Sequence, residues 1–371
     1  MLIAKPLIEN KKDNRKRREI LNYIALIKYW SMIIIIQWHI YRWKKRSIDY
    51  GARMCELLFV SSGFLVGYNY YKRKVPSTYQ SSCKYAYKHL RSFYPLHVMN
   101  SFFYIYYSKK IKFNLTDYEM LFFNFLLLKV WSSNVSFAMG FNGLSWFVSI
   151  LLFCYFLSPF LLEGIQNINK SLVIFLFVAF IRIAIEQIIK IGAYNFMNFN
   201  FHHGPIIRFM DFYLGMLMIP LFFKIKFFLD NFRYQLYLQF IFTIIQILFP
   251  VIIYFIMLAF NKILIRCYFV LIFCVCTFLI SYDYGYLSKI IKMKICKEIM
   301  SCQMEMYLLH DILNIILKKI LNNHWPKNAE LKFLIKIVFI FVVSYIYRKL
   351  FKEKLALFMD KIVDLFKKIL F

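Results

Sequence analysis

The chain holds 371 residues, 61% of them hydrophobic and 21% aromatic, and carries a net charge of +29. Its mean hydropathy of +0.56 excludes an ordinary soluble domain, and apolar runs of roughly 17 to 25 residues recur, each able to cross about 30 Å of hydrocarbon as a helix. Strand-like alternation is absent, which argues against an outer-membrane barrel. The Lys and Arg residues gather between apolar runs without a nucleic-acid-binding motif, so the charge reads as topology-setting loops beside anionic lipid.

Residues 1–19 read as a basic cytoplasmic N-terminus, without the short apolar core and cleavage site of a signal peptide. Candidate spans follow near 20–41, 52–71, 89–107, 118–133, 144–163, 171–190, 205–223, 235–260, 262–281, 298–320 and 331–350. The 118–133 run is short, and only AFNKI (259–263) separates the eighth candidate from the ninth. Seven basic residues precede the first span and seven lie in 348–371. Positive-inside bias then puts both ends in the cytoplasm and calls for an even count, read as about ten, although RWKKR (42–46) falls on the other side.

Residues 20–350 are thus read as one all-α transmembrane bundle, and 351–371 as an amphipathic interfacial helix. In that helix Leu355, Phe358, Ile362, Leu365 and Ile369 recur at helical spacing, with Lys354, Lys361, Lys367 and Lys368 between them. The eight cysteines form no CxxC pair, so neither a disulfide framework nor a metal site is expected.

Ionisable groups inside spans cost several kcal/mol on insertion, which makes each a functional candidate. Lys28 and His39 lie eleven residues apart in the first span, about 16 Å of rise and within about 20° of the same direction. A cation and an imidazole at two depths of one stripe suit an elongated ligand or a channel. The plainer alternative has Lys28 snorkelling to headgroups and His39 at the interface beside Trp38 and Trp43.

The next span carries Glu56 and Ser62-Gly63-Phe64. A glycine after a serine lets a second backbone approach. A buried carboxylate needs a partner, here His39, Lys28 or Arg53, and carboxylates commonly orient catalytic imidazoles. Lys88 and Arg91 share a helical face ahead of Tyr94-Pro95, either as topology anchors or as a seat for phosphate groups. Arg182 with Glu186, and Arg208 with Asp211, are spaced to neutralise one another. Glu305 and His310 are candidates to line the same cavity; His202–His203 read as a surface loop, with metal binding the alternative, and Trp146 reads as core ahead of substrate contact.

These residues together resemble the acyltransferase-3 family of membrane proteins, which includes bacterial O-acetyltransferases of lipopolysaccharide, exopolysaccharide and peptidoglycan. Lys28 and His39 are similar to the family's basic residue and histidine of the first span, and ELLFVSSGF (56–64) to its acidic, aromatic, Ser-Gly-Phe segment. Lys88, Arg91, Tyr94 and Pro95 look like its paired cations before Tyr-Pro. Trp146 and Ser149 match a Trp-Phe-x-Ser segment, Arg208, Phe212 and Gly215 an Arg-x-x-x-Phe-x-x-Gly segment, and Tyr307 and His310 a Tyr-Leu-x-His segment. Lysine stands where arginine is usual at positions 28 and 88, and Leu58 where an aromatic is common. The lysines keep the charge and lose the guanidinium fork.

The resemblance implies transfer of an acyl group, usually acetyl, from cytoplasmic acyl-CoA to a hydroxyl of an envelope polysaccharide or glycolipid. His39 would act as general base or acyl carrier with Glu56 beside it, while Lys28, Lys88 and Arg91 bind the donor. Ser62, Gly63, Phe64, Trp146, Ser149, Arg208, Tyr307 and His310 would wall the site. It further implies a multi-pass protein of the bacterial inner membrane, with no permanently bound cofactor, no metal and no nucleic-acid partner. A separate periplasmic transferase or glycan-assembly proteins would be its partners besides membrane lipids. The competing readings are a transporter or flippase of glycan or lipid-linked intermediates, and a structural subunit of an envelope complex.

Overall fold

The computed structural model describes residues 22–41, 50–73, 76–108, 114–132, 134–190, 204–259, 268–321, 326 and 328–370. The basic segments 1–19 and 42–46, the His202–His203 loop and Cys267 lie outside the described residues. Every regular element among the described residues is helical. In chain order they are α1 (Asn22–Tyr41), α2 (Tyr50–Arg73), α3 (Tyr79–Ser108), α4 (Leu115–Phe125), α5 (Val135–Met139) and α6 (Ser145–Leu157). Then come α7 (Ile168–Lys190), α8 (Pro205–Leu217), α9 (Ile219–Asp230), α10 (Gln235–Ala259) and α11 (Phe269–Ile280). The series ends with α12 (Tyr286–Ile291), α13 (Lys294–Met300), α14 (Gln303–Leu321), α15 (Ala329–Leu350) and α16 (Lys352–Leu370).

Four segments among the described residues are long and apolar enough to cross a membrane: Asn22–Ile40, Ile168–Ile188, Pro205–Asp230 and Gln235–Phe255. The larger number expected from hydropathy divides for physical reasons. Helices α6 and α11 are apolar but hold 13 and 12 residues, about 20 Å of rise. Helices α2, α3 and α14 are long but carry ionisable or strongly polar side chains that they bury, α2 against α7 and α8, and α3 and α14 against each other. The 118–133 run is not one helix. It starts at a capping box, where Asn114 and Asp117 exchange side-chain and backbone hydrogen bonds, and breaks at Leu127, whose φ of 58° is left-handed.

Helix α2 is the hub, packing most extensively on α8 and then on α1 and α11. Two glycines make the α2–α8 contact possible. A Cβ on Gly63 would stand 1.8 Å from the Phe212 carbonyl oxygen, and one on Gly215 would stand 2.0 Å from that of Val60. The two backbones therefore touch, as small residues permit between membrane helices. The helix-packing reading of Gly63 is the one the fold realises. Helix α14 packs on α1, α3 and α15, and α16 folds back against α3.

Candidate functional site

Helix α1 turns Lys28 and His39 toward the bundle. The Lys28 ammonium donates to Ser62 Oγ at 2.9 Å. The half-buried His39 ring lies 4.9 Å from the His310 ring, tilted by 53°. His310 is 2% exposed, and its Nδ1–H donates to the Tyr307 carbonyl at 2.7 Å. That bond assigns the proton to Nδ1 and leaves Nε2 as the acceptor nitrogen of the neutral ring. Nε2 is buried with no hydrogen-bond partner among the described residues, an omission worth about 1–3 kcal/mol against the fold. Neighbouring contacts hold the ring in place. Tyr307 packs against Phe147 with centroids 4.9 Å apart, and Asp311 accepts the Tyr104 hydroxyl proton at 2.5 Å, tying α14 to α3.

Glu56 finds a different environment. Of the partners considered from sequence, the fold supplies Arg53, at 2.5 Å. Arg208 stands 3.2 Å and Arg182 3.6 Å from the same carboxylate oxygen. The local pairs Arg182–Glu186 (2.7 Å) and Arg208–Asp211 (2.6 Å) form as their spacing suggests. Arg182 Nε also reaches Asp211 at 2.8 Å, and Arg53 approaches Glu186 at 3.7 Å. Three guanidinium groups and three carboxylates from α2, α7 and α8 thus form one neutral cluster, each residue at most 6% exposed. Such a cluster repays its desolvation only while complete; deleting one member of a buried pair typically costs about 3–5 kcal/mol. It locks the helix that carries Ser62 to α7 and α8.

A second polar knot escaped the sequence reading. His97, fully buried on α3, donates from Nε2–H to the Asn124 carbonyl at 2.9 Å and accepts at Nδ1 from the Asn142 amide at 3.2 Å. Asn124 donates to Ser101 Oγ at 2.8 Å, and the buried Lys129 ammonium donates to the carbonyls of Gly140 and Asn142. The available signal was a histidine inside an apolar run. His89 is another such residue, stacked on Tyr155 with centroids 4.0 Å apart.

Several expected wall residues have packing roles. Phe64 is buried edge-on to Phe222, 5.2 Å between centroids. Trp146 packs on Phe59 and Phe147, Ser149 Oγ donates to the Leu127 carbonyl, and Arg208 belongs to the ion cluster. At the start of α3, Lys88 is exposed. Arg91 sits 3.3 Å from Glu353 and 3.2 Å from Asp360 of α16. Tyr87 donates to Asp360 at 2.7 Å; burial, then that hydrogen bond to the carboxylate, push its hydroxyl up to about 12.

The structure therefore brings together Lys28 with Ser62, and His39 with His310, whose Nδ1 bonds the Tyr307 carbonyl. It holds Arg91 under α16, and gives Phe64, Trp146, Ser149 and Arg208 to the scaffold. Among the described residues no group of three or more His, Cys, Asp or Glu could hold a metal ion. No protein-family model, no curated protein and no solved structure matches the chain.

Proposed function

We propose that this chain is an integral membrane acyltransferase that moves an acyl group, acetyl in the first instance, from acyl-CoA to a hydroxyl of an envelope polysaccharide or glycolipid. One observation carries the reading: a buried imidazole, His310, keeps an unpartnered acceptor nitrogen while its ring packs against His39. The chemistry needs such an acceptor. As the acceptor hydroxyl attacks the thioester carbonyl, its proton passes to an imidazole nitrogen and a C–O bond forms. The C–S bond then breaks, and the departing thiolate takes the proton back from the imidazolium.

Lys28 supports the same reading. It is held by Ser62 about 16 Å of helix rise before His39, a spacing suited to a thin, extended donor arm. Lys88 and Arg91 seat the donor phosphates at the inner face once Glu353 and Asp360 release Arg91. Glu56 acts through the ion cluster, as a positioning residue for α2. In this reading the chain crosses the bacterial inner membrane about ten times, and α16 lies on the inner leaflet with Phe358 and Leu365, 60% and 59% exposed, toward lipid.

The decisive experiment measures free coenzyme A released from acetyl-CoA by the purified chain in nanodiscs, with glycan acceptors present. Release that disappears in both His39→Ala and His310→Ala is expected. No release from the unmodified chain overturns the proposal and favours a transporter or flippase.

A further inference from the structure

A second charged feature lies away from the histidine pair, where α13, the start of α14 and the end of α15 meet. A cavity of about 380 Å³ is lined there by Lys292, Lys294, Lys297, Glu298, Ser301 and Arg348. Four of its six lining side chains are cationic and one is anionic. The acids around it are already engaged. Glu298 is held by Lys349 at 2.6 Å, and the buried Glu305 by Lys352 at 2.6 Å and Arg348 at 3.4 Å. Asp283 lies 3.8 Å from Lys292.

Counting these neighbours, six cations (Lys292, Lys294, Lys297, Arg348, Lys349, Lys352) surround three carboxylates (Asp283, Glu298, Glu305). The excess is 6 − 3 = 3 positive charges. Lys294 and Lys297 make no ion pair among the described residues. Helix α14 begins at Gln303, two residues past Ser301, and Arg348 lies in the last turn of α15, so the opposed ends of the two helix dipoles leave the side chains to set the local potential.

Like charges are not gathered round a hollow without cost. An anion with spread negative charge and several acceptor oxygens relieves the repulsion best, and phosphate groups meet that description. We propose that this cavity is a binding site for a phosphate-bearing ligand, either a soluble phosphate compound or the headgroup of an anionic phospholipid. The inference is independent of the acyl-transfer reading, because it concerns other residues and its test involves no turnover.

The full chain in phosphatidylcholine nanodiscs is titrated with inorganic pyrophosphate at low and at moderate salt. In parallel, the chain reconstituted with phosphatidylglycerol is analysed by native mass spectrometry for retained lipid. The variant Lys294→Ala/Lys297→Ala removes two cations that make no ion pair among the described residues. The control is Lys318→Ala/Lys319→Ala, at the far end of α14. We expect one probe to bind the unmodified chain, to weaken about tenfold in the first variant, and to bind the control unchanged. Pyrophosphate binding identifies the soluble source and retained phosphatidylglycerol the lipid source. Binding of neither probe, equal binding in both variants and the unmodified chain, or an equal loss in the control overturns the site.

Discussion

His97 and His310 sit on adjoining helices, and each is at most 2% exposed, yet the fold treats them in opposite ways. Both nitrogens of His97 are engaged, one by the Asn124 carbonyl and one by the Asn142 amide. Only Nδ1 of His310 is engaged, and Nε2, beside the His39 ring, has no partner among the described residues. Burial by itself therefore says little about function. A buried polar group with complete bonding holds helices together, whereas one kept incomplete imposes a standing cost that packing must offset. The first is scaffold, and the second is what the proposed reaction requires.

The largest expected effect tests the site half of that contrast. His310→Ala and His39→Ala should each lower coenzyme A release by about 10²–10⁴-fold while the purified protein stays monodisperse with an unchanged thermal midpoint. Loss of folding with activity per folded molecule retained would reverse the roles. His97→Ala should behave in the opposite sense. Orphaning the Asn124 carbonyl and the Asn142 amide should cost about 1–3 kcal/mol of stability, read as a lower thermal midpoint in detergent, with turnover per folded molecule kept.

A smaller effect is expected at Asp283, a carboxylate in the turn after α11 with a left-handed φ of 57°. Burial pushes its pKa up to about 6, against the opposing pull of Ser288 and Lys292. The folded state therefore binds more protons than the unfolded chain between the ordinary carboxylate range and pH 6. Stability is largest below that window and is lost as pH rises through it. Asp283→Asn, which tolerates the same φ, should stabilise the fold at pH 8 by about 1–2 kcal/mol, read as a higher thermal midpoint, and the gain should vanish near pH 4. A gain that is independent of pH would show that ionisation is not its source.

The smallest effect concerns α16. Glu353→Gln/Asp360→Gln should release Arg91 and strengthen acetyl-CoA binding about threefold, the scale of a partly exposed ion pair. Unchanged affinity would remove Arg91 from the proposed donor seat.

Much of this was visible in the sequence where the signal is local. Arg182–Glu186 and Arg208–Asp211 were readable because residues three or four apart share a helix face. Lys28 and His39 were readable as one stripe because eleven residues bring a helix back to within about 20° of the same direction. The division of the apolar runs was harder, because hydropathy cannot see that Leu127 breaks a helix or that α2 and α14 keep their charges inside. Glu56 shows the limit most clearly. Its partners Arg182 and Arg208 come from helices more than a hundred residues away along the chain, so the orienting carboxylate sought for His39 proved to be one corner of an ion cluster. His97 was missed because its bonding partners, Asn124 and Asn142, are ordinary residues until three segments meet.

Composition and helical periodicity determined that this is an all-α, strongly basic protein with helices long and apolar enough to cross a membrane and polar residues set inside apolar runs, since those properties depend on neighbours within a few turns. Which buried polar group is satisfied and which stays poised was decided only where α1, α3 and α14 pack together. Hydrogen-bond completion depends on atoms that distant segments bring within about 3 Å, and no spacing along a single helix encodes that.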